Sequence, residues 1–413
     1  MPKQSSIAVR LDQAGPFFLG ALALTGVFAR GGANISYALL GLWGLILWGR
    51  AVLDRGSPRP PLPPARCVAA LAAFTLIWLA AILAGDDPAA GLKIMAGRLL
   101  PLGLPLLAWP AFSRRPDLLS RLPFLWGLGL IVAAGLTFRE GGYQLICLRA
   151  KAHLGIINLG STLGQLIPVM VAAFLMALSS GRRRETAFFA LALVAASLAL
   201  TQNCSRQTLL AAPALSLLVF WVYRRNFRKP QQLLLALALA LVFILPLASG
   251  GGLRFLKTLE YRAGSDYLIL NEADRTIRLG LWSQGWDAFQ DHPWLGQGLG
   301  KGFWLTPLPP EGAKGPPPHS HQMFIDVLAK TGLLGFAGFL ALHLAPLSLL
   351  WPHRRSRDPE TFFWVWAALA VNLQFVLNGL TDQVFGLKTM MYVHWTVTAA
   401  ALWQTQKAGR SDS

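Results

Sequence analysis

Four ionisable side chains have the types and the surroundings that group-transfer chemistry needs. Arg206, Arg278, His321 and Asp382 each lie beside a long apolar run or in a segment between such runs. Histidine accepts protons near neutral pH, and an arginine beside a helix start can bind phosphate through its guanidinium group and the free N–H groups of the helix. These residues predict a site that binds a phosphorylated ligand and removes a proton.

Each of these residues also has a simpler interpretation. Arg206 could mark a helix end as a snorkelling side chain, and Arg278 could lie on the solvated face of a loop helix. His321 could be an interfacial or helix-capping histidine, with His319 as its competitor two residues away. Asp382 could orient His321, bind acceptor hydroxyls, or cap the last helix. The residues alone leave these alternatives open.

Composition indicates that membrane-spanning helices position these residues. Of 413 residues, 54% are hydrophobic and only 14% are charged, whereas soluble domains carry about 25% charged residues. Apolar runs of roughly 20 residues, the length that crosses a bilayer, recur along the chain. We predict an all-α polytopic membrane protein with about twelve transmembrane helices. The predicted spans cover residues 16–28, 36–48, 67–83, 94–112, 119–138, 157–178, 186–200, 209–223, 231–247, 323–351, 362–380 and 390–405.

The net charge of +18 fits orientation in a membrane better than nucleic-acid binding. With the N-terminus in the cytoplasm, the cytoplasmic segments hold 21 of the 37 basic residues, the short external segments nine and the long loop seven. This asymmetry follows the positive-inside rule. We therefore predict spans one to nine in residues 1–247, a large external loop in 248–322, and spans ten to twelve in 323–413, with the lipid bilayer as a partner and no nucleic acid.

The predicted external loop has structure of its own. Residues 274–290 have the spacing of an amphipathic helix, which places Trp282 one turn after Arg278. Residues 291–293 end this helix, and the glycine run at 296–300 predicts a tight turn. A phosphate-binding loop is the weaker interpretation of that run, because no strand precedes it.

The sequence contains no Asp-x-Asp, Walker, His-Glu-x-x-His or Gly-x-Ser-x-Gly motif. The adjacent Asp86 and Asp87 make a poor metal site. We therefore predict no metal and no cofactor. Cys147 and Cys204 are both predicted to be external, so a disulfide between them stays an open alternative.

Three segments, in this order along the chain, resemble the O-antigen ligase and polymerase family of bacterial inner-membrane proteins. The first segment opens a helix after the seventh span, the second lies in the external loop, and the third ends that loop. They are Ser205-Arg206; Arg278 to Trp282 with Trp286, Asp291-His292-Pro293, Leu295-Gly296 and Gly298-Leu299-Gly300; and His319-Ser320-His321-Gln322 with Ile325, Leu328 and Lys330-Thr331-Gly332. The chain departs from the family pattern at Gln322, where the family has Asn, and at Lys330, where it has Glu. The first departure concerns a hydrogen bond at a helix start and leaves the histidine in place.

The resemblance implies a twelve-helix glycosyltransferase in the inner membrane of a Gram-negative bacterium, with its active site facing the periplasm. The donor would be a glycan carried on undecaprenyl pyrophosphate. In the ligase, the acceptor would be a sugar of the lipid A core. Neither a metal nor a nucleotide would take part.

The resemblance also assigns roles to residues. His321 would be the general base, and Arg206 and Arg278 would be catalytic residues that bind the pyrophosphate and neutralise its charge as it leaves. Further substrate-binding candidates are His319, Asp382 and Trp282.

Rival functions share parts of this pattern. The O-antigen polymerase and a protein O-oligosaccharyltransferase would use the same donor, and the compact loop of about 75 residues favours the ligase. A flippase for lipid-linked sugars belongs to another class, and it should show inverted repeats and polar residues near mid-membrane. Because the centres of the predicted spans are nearly free of charge, we prefer an enzyme. The sequence leaves the acceptor, the glycan specificity and the oligomeric state open.

Overall fold

A computed structural model of the chain describes residues 6–53, 61–140, 156–203, 205–248, 266–300 and 319–411. Every regular element within these ranges is helical. The α-helices are α1 Ser6–Thr25, α2 Arg30–Leu53, α3 Ala65–Leu83, α4 Pro88–Leu102, α5 Leu104–Arg114, α6 Leu118–Glu140, α7 Ile156–Ser179, α8 Arg183–Asn203, α9 Arg206–Tyr223, α10 Lys229–Ala248, α11 Asp266–Asp291, α12 Met323–Leu350, α13 Pro359–Gly379 and α14 Lys388–Ser411. Short 3-10 turns follow α9 and α12, at Arg224–Asn226 and Trp351–Arg355.

The helices confirm a multi-pass membrane protein. Among the described residues, nine helices are long and apolar enough to cross a membrane. Two shorter apolar stretches, Gln13–Thr25 and Lys229–Ile244, coincide with the predicted first and ninth spans. α14 covers the predicted twelfth span but is not among the nine, since it carries buried polar side chains such as Thr389, His394 and Thr398. The number twelve therefore stays a prediction.

Several predicted boundaries were wrong. α2 has 24 residues and extends beyond both ends of the predicted second span, 36–48. The predicted fourth span consists of α4 and α5, which are interrupted at Gly103. Pro101 and Pro105 flank this interruption and lack the N–H groups that a continuous helix would use. The loop helix α11 is longer than predicted. Residues 249–265 and 301–318 of the predicted loop lie outside the described residues, as do Cys147 and Cys204.

α7 is the central helix. In its most apolar stretch 89% of the residues are buried inside the protein, against 33% in α2. Two glycines let its neighbours approach closely: a Cβ at Gly160 would lie 2.5 Å from Cβ of Ser205, and one at Gly164 would lie 2.6 Å from Nε2 of Gln374. Small residues commonly allow such packing between membrane helices. The start of α9 and the last turns of α13 therefore meet on α7.

The outer helices expose apolar rows that suit lipid. On α10 the exposed side chains recur every three or four positions, as one helix face requires. They are Leu233, Leu234, Leu237, Leu241 and Ile244, each between 53% and 68% exposed. A continuous apolar surface of this kind suits contact with lipid chains rather than with water.

The two ends of the helix bundle differ in charge. The α7–α8, α9–α10 and α12–α13 connections share one end, and each carries a cluster of basic residues. These are Arg182 to Arg184; Arg224, Arg225, Arg228 and Lys229; and Arg354, Arg355 and Arg357. α12 begins and α13 ends at the opposite end, which also receives the start of α9. The predicted site residues belong to that end.

Candidate functional site

His321 and Asp382 face each other at the end of the bundle that lacks the basic clusters. Nδ1 of His321 lies 3.3 Å from Oδ1 of Asp382. The His321 side chain is 33% exposed and that of Asp382 is 11% exposed, so solvent or a ligand reaches the histidine first. Asp382 does not cap the last helix, because that helix begins at Lys388. It lies in the turn before α14 and contacts His321.

Asp382 is held in its ionised form. Burial raises the pKa of Asp382, but a hydrogen bond from His321, a second from the backbone N–H of Gln383 at 2.8 Å, and the nearby histidines outweigh burial and lower it. A carboxylate beside Nδ1 favours the tautomer that carries its proton on Nδ1. Nε2 of His321 is then the atom that can accept a proton.

His319 packs directly against His321. The two ring centroids are 4.4 Å apart, and the backbone N–H of His321 donates to Nδ1 of His319 at 3.3 Å. Burial lowers the pKa of His319 to about 4, and the neighbouring His321 acts in the same direction. His319 is therefore neutral near pH 7, and it helps to fix the backbone that carries His321.

The same three side chains could hold a metal ion. Within the described ranges, the ligand atoms of His319, His321 and Asp382 all lie within 4.8 Å of one another. Two imidazoles and a carboxylate are a donor set that Zn²⁺ accepts. No metal motif in the sequence indicated this cluster, because its members come from two segments that only the fold brings together.

Arg278 is attached to the turn that carries Asp382. Its Nη1 donates to the carbonyl oxygen of Thr381 at 2.9 Å, and Thr381 directly precedes Asp382. Trp282 lies one turn later on α11, and its Nε1 is buried without a hydrogen-bond partner among the described residues. The fold thus brings Arg278 to the histidine–aspartate pair, as the prediction of one shared site requires.

Arg206 begins α9, and its side chain lies outside the described residues. Neighbouring contacts hold the start of this helix in place. Ser205 is the residue before the helix, and the hydroxyl of Thr208 donates to the carbonyl oxygen of Gly160 at 2.8 Å. This contact anchors the first turn of α9 to α7, and the N–H groups of that turn point toward the same end of the bundle.

Buried polar contacts connect the start of α9 with Asp382. A Cβ at Gly164 would touch both Gln374 and Thr208, so α13 and α9 meet there. Nε2 of Gln374 donates to Oδ1 of Asn378 at 3.0 Å, and the carbonyl oxygen of Asn378 accepts from the backbone N–H of Asp382 at 3.0 Å. The helix start at Arg206 and the turn at Asp382 are therefore parts of one packed unit.

His321 has an unusual backbone conformation. Its φ is +56°, and no other non-glycine residue of the described ranges has a positive φ. Strain of this kind persists where surrounding contacts fix the chain, and it is common at functional sites. The next residue makes one such contact, since Oε1 of Gln322 accepts from the backbone N–H of Ile325 at 2.5 Å. Gln322 therefore makes the helix-start hydrogen bond despite replacing the family's Asn.

The glycine run after α11 is a docking turn. The N–H groups of Gln297 and Gly298 donate to the carbonyl oxygens of Ala329 and Lys330 at 2.9 and 3.1 Å. Gly332, with φ +63°, interrupts α12 at this contact. The turn interpretation was correct, because these amide groups bind backbone and cannot bind a phosphate.

A buried ionic cluster, which the sequence motifs did not predict, lies behind the pair. Asp326 and Lys330 are 0% and 1% exposed, and Nζ of Lys330 lies 3.0 Å from Oδ1 of Asp326. Nη2 of Arg98 lies 3.6 Å from Oδ2 of Asp326, and Nε2 of Gln383 donates to that same oxygen. A signal was present: opposite charges four residues apart within an apolar span.

An apolar cavity begins beside the site. It has a volume of about 430 Å³ and lies between α9, α12 and α13. Met323 and Phe324, which follow His321 closely, line one end, and Trp351 and Trp366 line the other. The volume falls within the range of about 300–1,000 Å³ that is usual for ligand sites. A long apolar chain could run along it from the site toward the basic end.

The middle of the chain matches a known protein family. Residues 189–340 match the family model for O-antigen ligase, which confirms for this segment the resemblance that its motifs predicted. The matched segment runs from α8 into α12 and contains Arg206, Arg278, His319 and His321, whereas Asp382 lies beyond it. No curated protein matches the chain.

Proposed function

Because residues 189–340 form an O-antigen ligase family segment, we propose that the protein is an inverting glycosyltransferase of the lipid-carrier type. It transfers an O-antigen glycan from undecaprenyl pyrophosphate to a sugar of the lipid A core during lipopolysaccharide assembly. One observation carries the proposal: His321 pairs with Asp382 at 3.3 Å, and Arg278 binds the residue directly before Asp382. A base and an anion-binding group are thus adjacent.

In the proposed reaction, Nε2 of His321 accepts the proton of the acceptor hydroxyl. The hydroxyl oxygen attacks the anomeric carbon of the donor sugar and forms the new glycosidic bond. The bond from that carbon to the pyrophosphate oxygen breaks, and undecaprenyl pyrophosphate leaves with the electron pair. Asp382 stabilises the resulting imidazolium. A single displacement of this kind inverts the configuration at the anomeric carbon.

Arg206 and Arg278 supply the positive charge that the leaving group requires. Negative charge grows on the pyrophosphate as the bond breaks, and guanidinium groups in a partly dehydrated site stabilise such charge strongly. Pyrophosphate is already a good leaving group, so the reaction needs no general acid. The proposed mechanism uses no metal, because the two arginines take the part that a divalent ion would have.

The cavity between α9, α12 and α13 supports a lipid-linked donor. Its lining is almost wholly apolar, and it includes Met323 and Phe324, which follow His321 closely in the chain. A polyprenyl chain seated there would leave its pyrophosphate beside the site residues. The exposed apolar side chains on α10 form a surface that suits contact with the lipid bilayer.

Charge asymmetry supports an orientation. The basic clusters occupy the end of the bundle opposite His321 and Asp382, and cytoplasmic loops are the ones enriched in Lys and Arg. We therefore propose an inner-membrane protein whose site faces the periplasm.

Reconstitution tests the proposal. Purified protein in liposomes would receive a defined undecaprenyl-pyrophosphate-linked glycan together with lipid A core, a second lipid-linked glycan, or an acceptor protein. We expect a glycan–lipid A core conjugate with inverted anomeric configuration, measured by mass spectrometry and NMR. An elongated lipid-linked glycan would indicate a polymerase, a glycosylated protein would indicate an O-oligosaccharyltransferase, and intact donor moved across the bilayer would indicate a flippase.

A further inference from the structure

The buried carboxylate of Asp326 contacts both flanks of the His321–Asp382 pair. Oδ1 of Asp326 accepts from the backbone N–H of Ser320, the residue before His321, at 3.4 Å. Oδ2 accepts from the side chain of Gln383, the residue after Asp382. The Asp326 side chain therefore connects the two segments that carry His321 and Asp382, and the separation of these segments sets the distance between the two residues.

Gln383 transmits this contact to Asp382 itself. Its backbone N–H donates to Oδ1 of Asp382 at 2.8 Å, and Oδ1 is also the atom that faces His321. Oε1 of Gln383 accepts from the backbone N–H of Phe385 at 3.2 Å. The backbone N–H and both side-chain amide atoms of Gln383 thus have defined partners, and the orientation of Asp382 follows from that of Gln383.

The strained backbone at His321 needs such support. A positive φ in a histidine persists only where neighbouring contacts hold the chain, and His321 has φ +56°. Asp326 binds the residue before it and, through the helix start, the chain after it, since the backbone N–H of Asp326 donates to the carbonyl oxygen of Gln322 at 2.9 Å. His321 is held from both sides by one residue.

Lys330 makes a buried carboxylate tolerable at this position. An isolated ionised carboxylate is strongly disfavoured inside a protein unless it is paired. Lys330 and Arg98 supply the counter-charges at 3.0 and 3.6 Å. The related family pattern has Glu at the position of Lys330, which next to Asp326 would place like charges one helical turn apart. Lys330 in this chain is therefore explained by Asp326.

We propose that Asp326 is the positioning residue of the His321–Asp382 pair and that Lys330 is its required counter-ion. The proposal rests on the proposed glycosyltransferase function for its kinetic consequences. The alternative is that the ionic cluster only stabilises the fold. The two differ in whether a variant that folds but lacks the Asp326 carboxylate keeps the geometry of the pair.

The decisive variant is the double substitution Asp326→Asn/Lys330→Met in the full chain. It removes one charge of each sign, so the cluster keeps the net charge of the native protein while the carboxylate is lost. We expect kcat to fall by about tenfold or more, which is part of the roughly 100-fold that an aligned base contributes, with the donor KM within about twofold of native. Native kcat in this variant would overturn the proposal. Asp326→Glu, which keeps the carboxylate, should recover part of the lost rate.

A matched pair of single substitutions separates positioning from general stabilisation. Gln383 and Gln404 are similarly buried, at 7% and 5% exposed, and each donates to a carboxylate, Gln404 to Glu360 at the other end of the bundle. Gln383→Met should lower kcat, whereas Gln404→Met should leave kcat unchanged at a similar melting temperature. Equal effects of the two would contradict the proposal.

A readout without substrate keeps this test independent of the proposed function. Diethylpyrocarbonate modifies exposed imidazoles. Peptide mass spectrometry measures the rate of modification of His321 separately from that of the other histidines. We expect faster modification of His321 in Asp326→Asn/Lys330→Met than in the native protein. An unchanged rate would overturn the positioning role even if the protein proves to catalyse another reaction, and a faster rate would support it even then.

Discussion

Nδ1 of His321 lies 3.3 Å from Oδ1 of Asp382, although 61 positions separate the two residues in the chain. One residue precedes α12 and the other follows α13, so their distance depends on how these two helices pack. Because Asp382 is ionised and faces Nδ1, Nε2 of His321 is left as the proton acceptor. The pair has the geometry of an oriented base.

Substitution of the pair should separate the base from its orienting group. His321→Ala should lower the rate of glycan transfer by about 100-fold or more, because general base catalysis contributes roughly that much. Asp382→Asn keeps the size of the side chain but removes its charge, so it should lower kcat less and leave the donor KM near native. Initial rates with reconstituted protein measure both. His353→Ala, at the basic end, is the control, and near-native activity of His321→Ala would exclude it as the base.

Substitution of Arg206 or Arg278 should raise the KM of the donor more than the KM of the acceptor. Loss of a charged hydrogen bond costs about 1.5–3 kcal/mol, so Arg206→Ala and Arg278→Ala should each raise the donor KM by about tenfold or more. Lys should restore little at either position if the contact is bidentate. Arg278→Ala should also lower kcat, since Arg278 binds the carbonyl oxygen of Thr381 beside Asp382.

Arg182→Ala is the matched control for these variants. Arg182 is a partly exposed arginine at the basic end, where it pairs with Glu185. Its loss should change neither KM. A larger rise in acceptor KM than in donor KM for Arg206→Ala or Arg278→Ala would assign those residues to the acceptor instead.

Sequence reasoning predicted the elements of this site better than their connections. Apolar runs of membrane length are visible without a fold, and a histidine or an arginine at the end of a run is visible too. The contact of His321 with Asp382 is not visible in the sequence, because it depends on the packing of α12 against the turn after α13. The carbonyl group of Thr381 could not be identified either, since backbone groups carry no sequence signal.

The ionic cluster shows a second limit. The prediction considered charge only at the centres of the spans, whereas Asp326 and Lys330 lie in the first turns of α12 and pair there. Their spacing of four residues was a readable signal. Arg98, from α4, was not readable as a third member, because helices far apart in sequence meet there only in the fold.

Metal ions should inhibit the enzyme rather than activate it. The ligand atoms of His319, His321 and Asp382 lie within 4.8 Å of one another, and Zn²⁺ bound there would occupy the lone pair that His321 needs as a base. EDTA should leave the transfer rate unchanged, and added ZnCl₂ should lower it. His319→Gln should raise the Zn²⁺ concentration for half-inhibition by about tenfold or more, because it removes one of the three ligands. Inactivation by EDTA would contradict the metal-free mechanism.

Filling the apolar cavity should weaken binding of long lipid donors. Leu344 lines the cavity and is 56% exposed, so Leu344→Trp would place a bulky ring in the path of a polyprenyl chain. The donor KM should rise by several-fold for an undecaprenyl donor and less for a short-chain analogue. Leu241→Trp on α10 is the control, because Leu241 is similarly exposed, at 68%, on another lipid-facing helix. Equal effects of the two substitutions would exclude the cavity as the lipid site.

Stability should fall in mild acid, and His319 should account for part of the fall. Its pKa is about 4 in the folded protein and about 6.5 in an unfolded chain. Between these values the unfolded state binds more protons, so the free energy of unfolding decreases as the pH drops, by at most about 1.4 kcal/mol per pH unit for one group. Asp382, whose pKa is lowered, adds its loss only at lower pH, as the pH falls from the ordinary aspartate range through its folded value.

His319→Asn isolates this contribution. The Asn side chain offers an oxygen to the backbone N–H of His321 in place of Nδ1 but does not titrate. Melting temperatures of the detergent-purified protein between pH 7 and pH 5 should therefore fall less steeply for His319→Asn than for the native protein. His353→Asn, at the opposite end, should retain the native slope. If His319→Asn keeps the native slope as well, burial of a neutral His319 is not a source of the acid sensitivity.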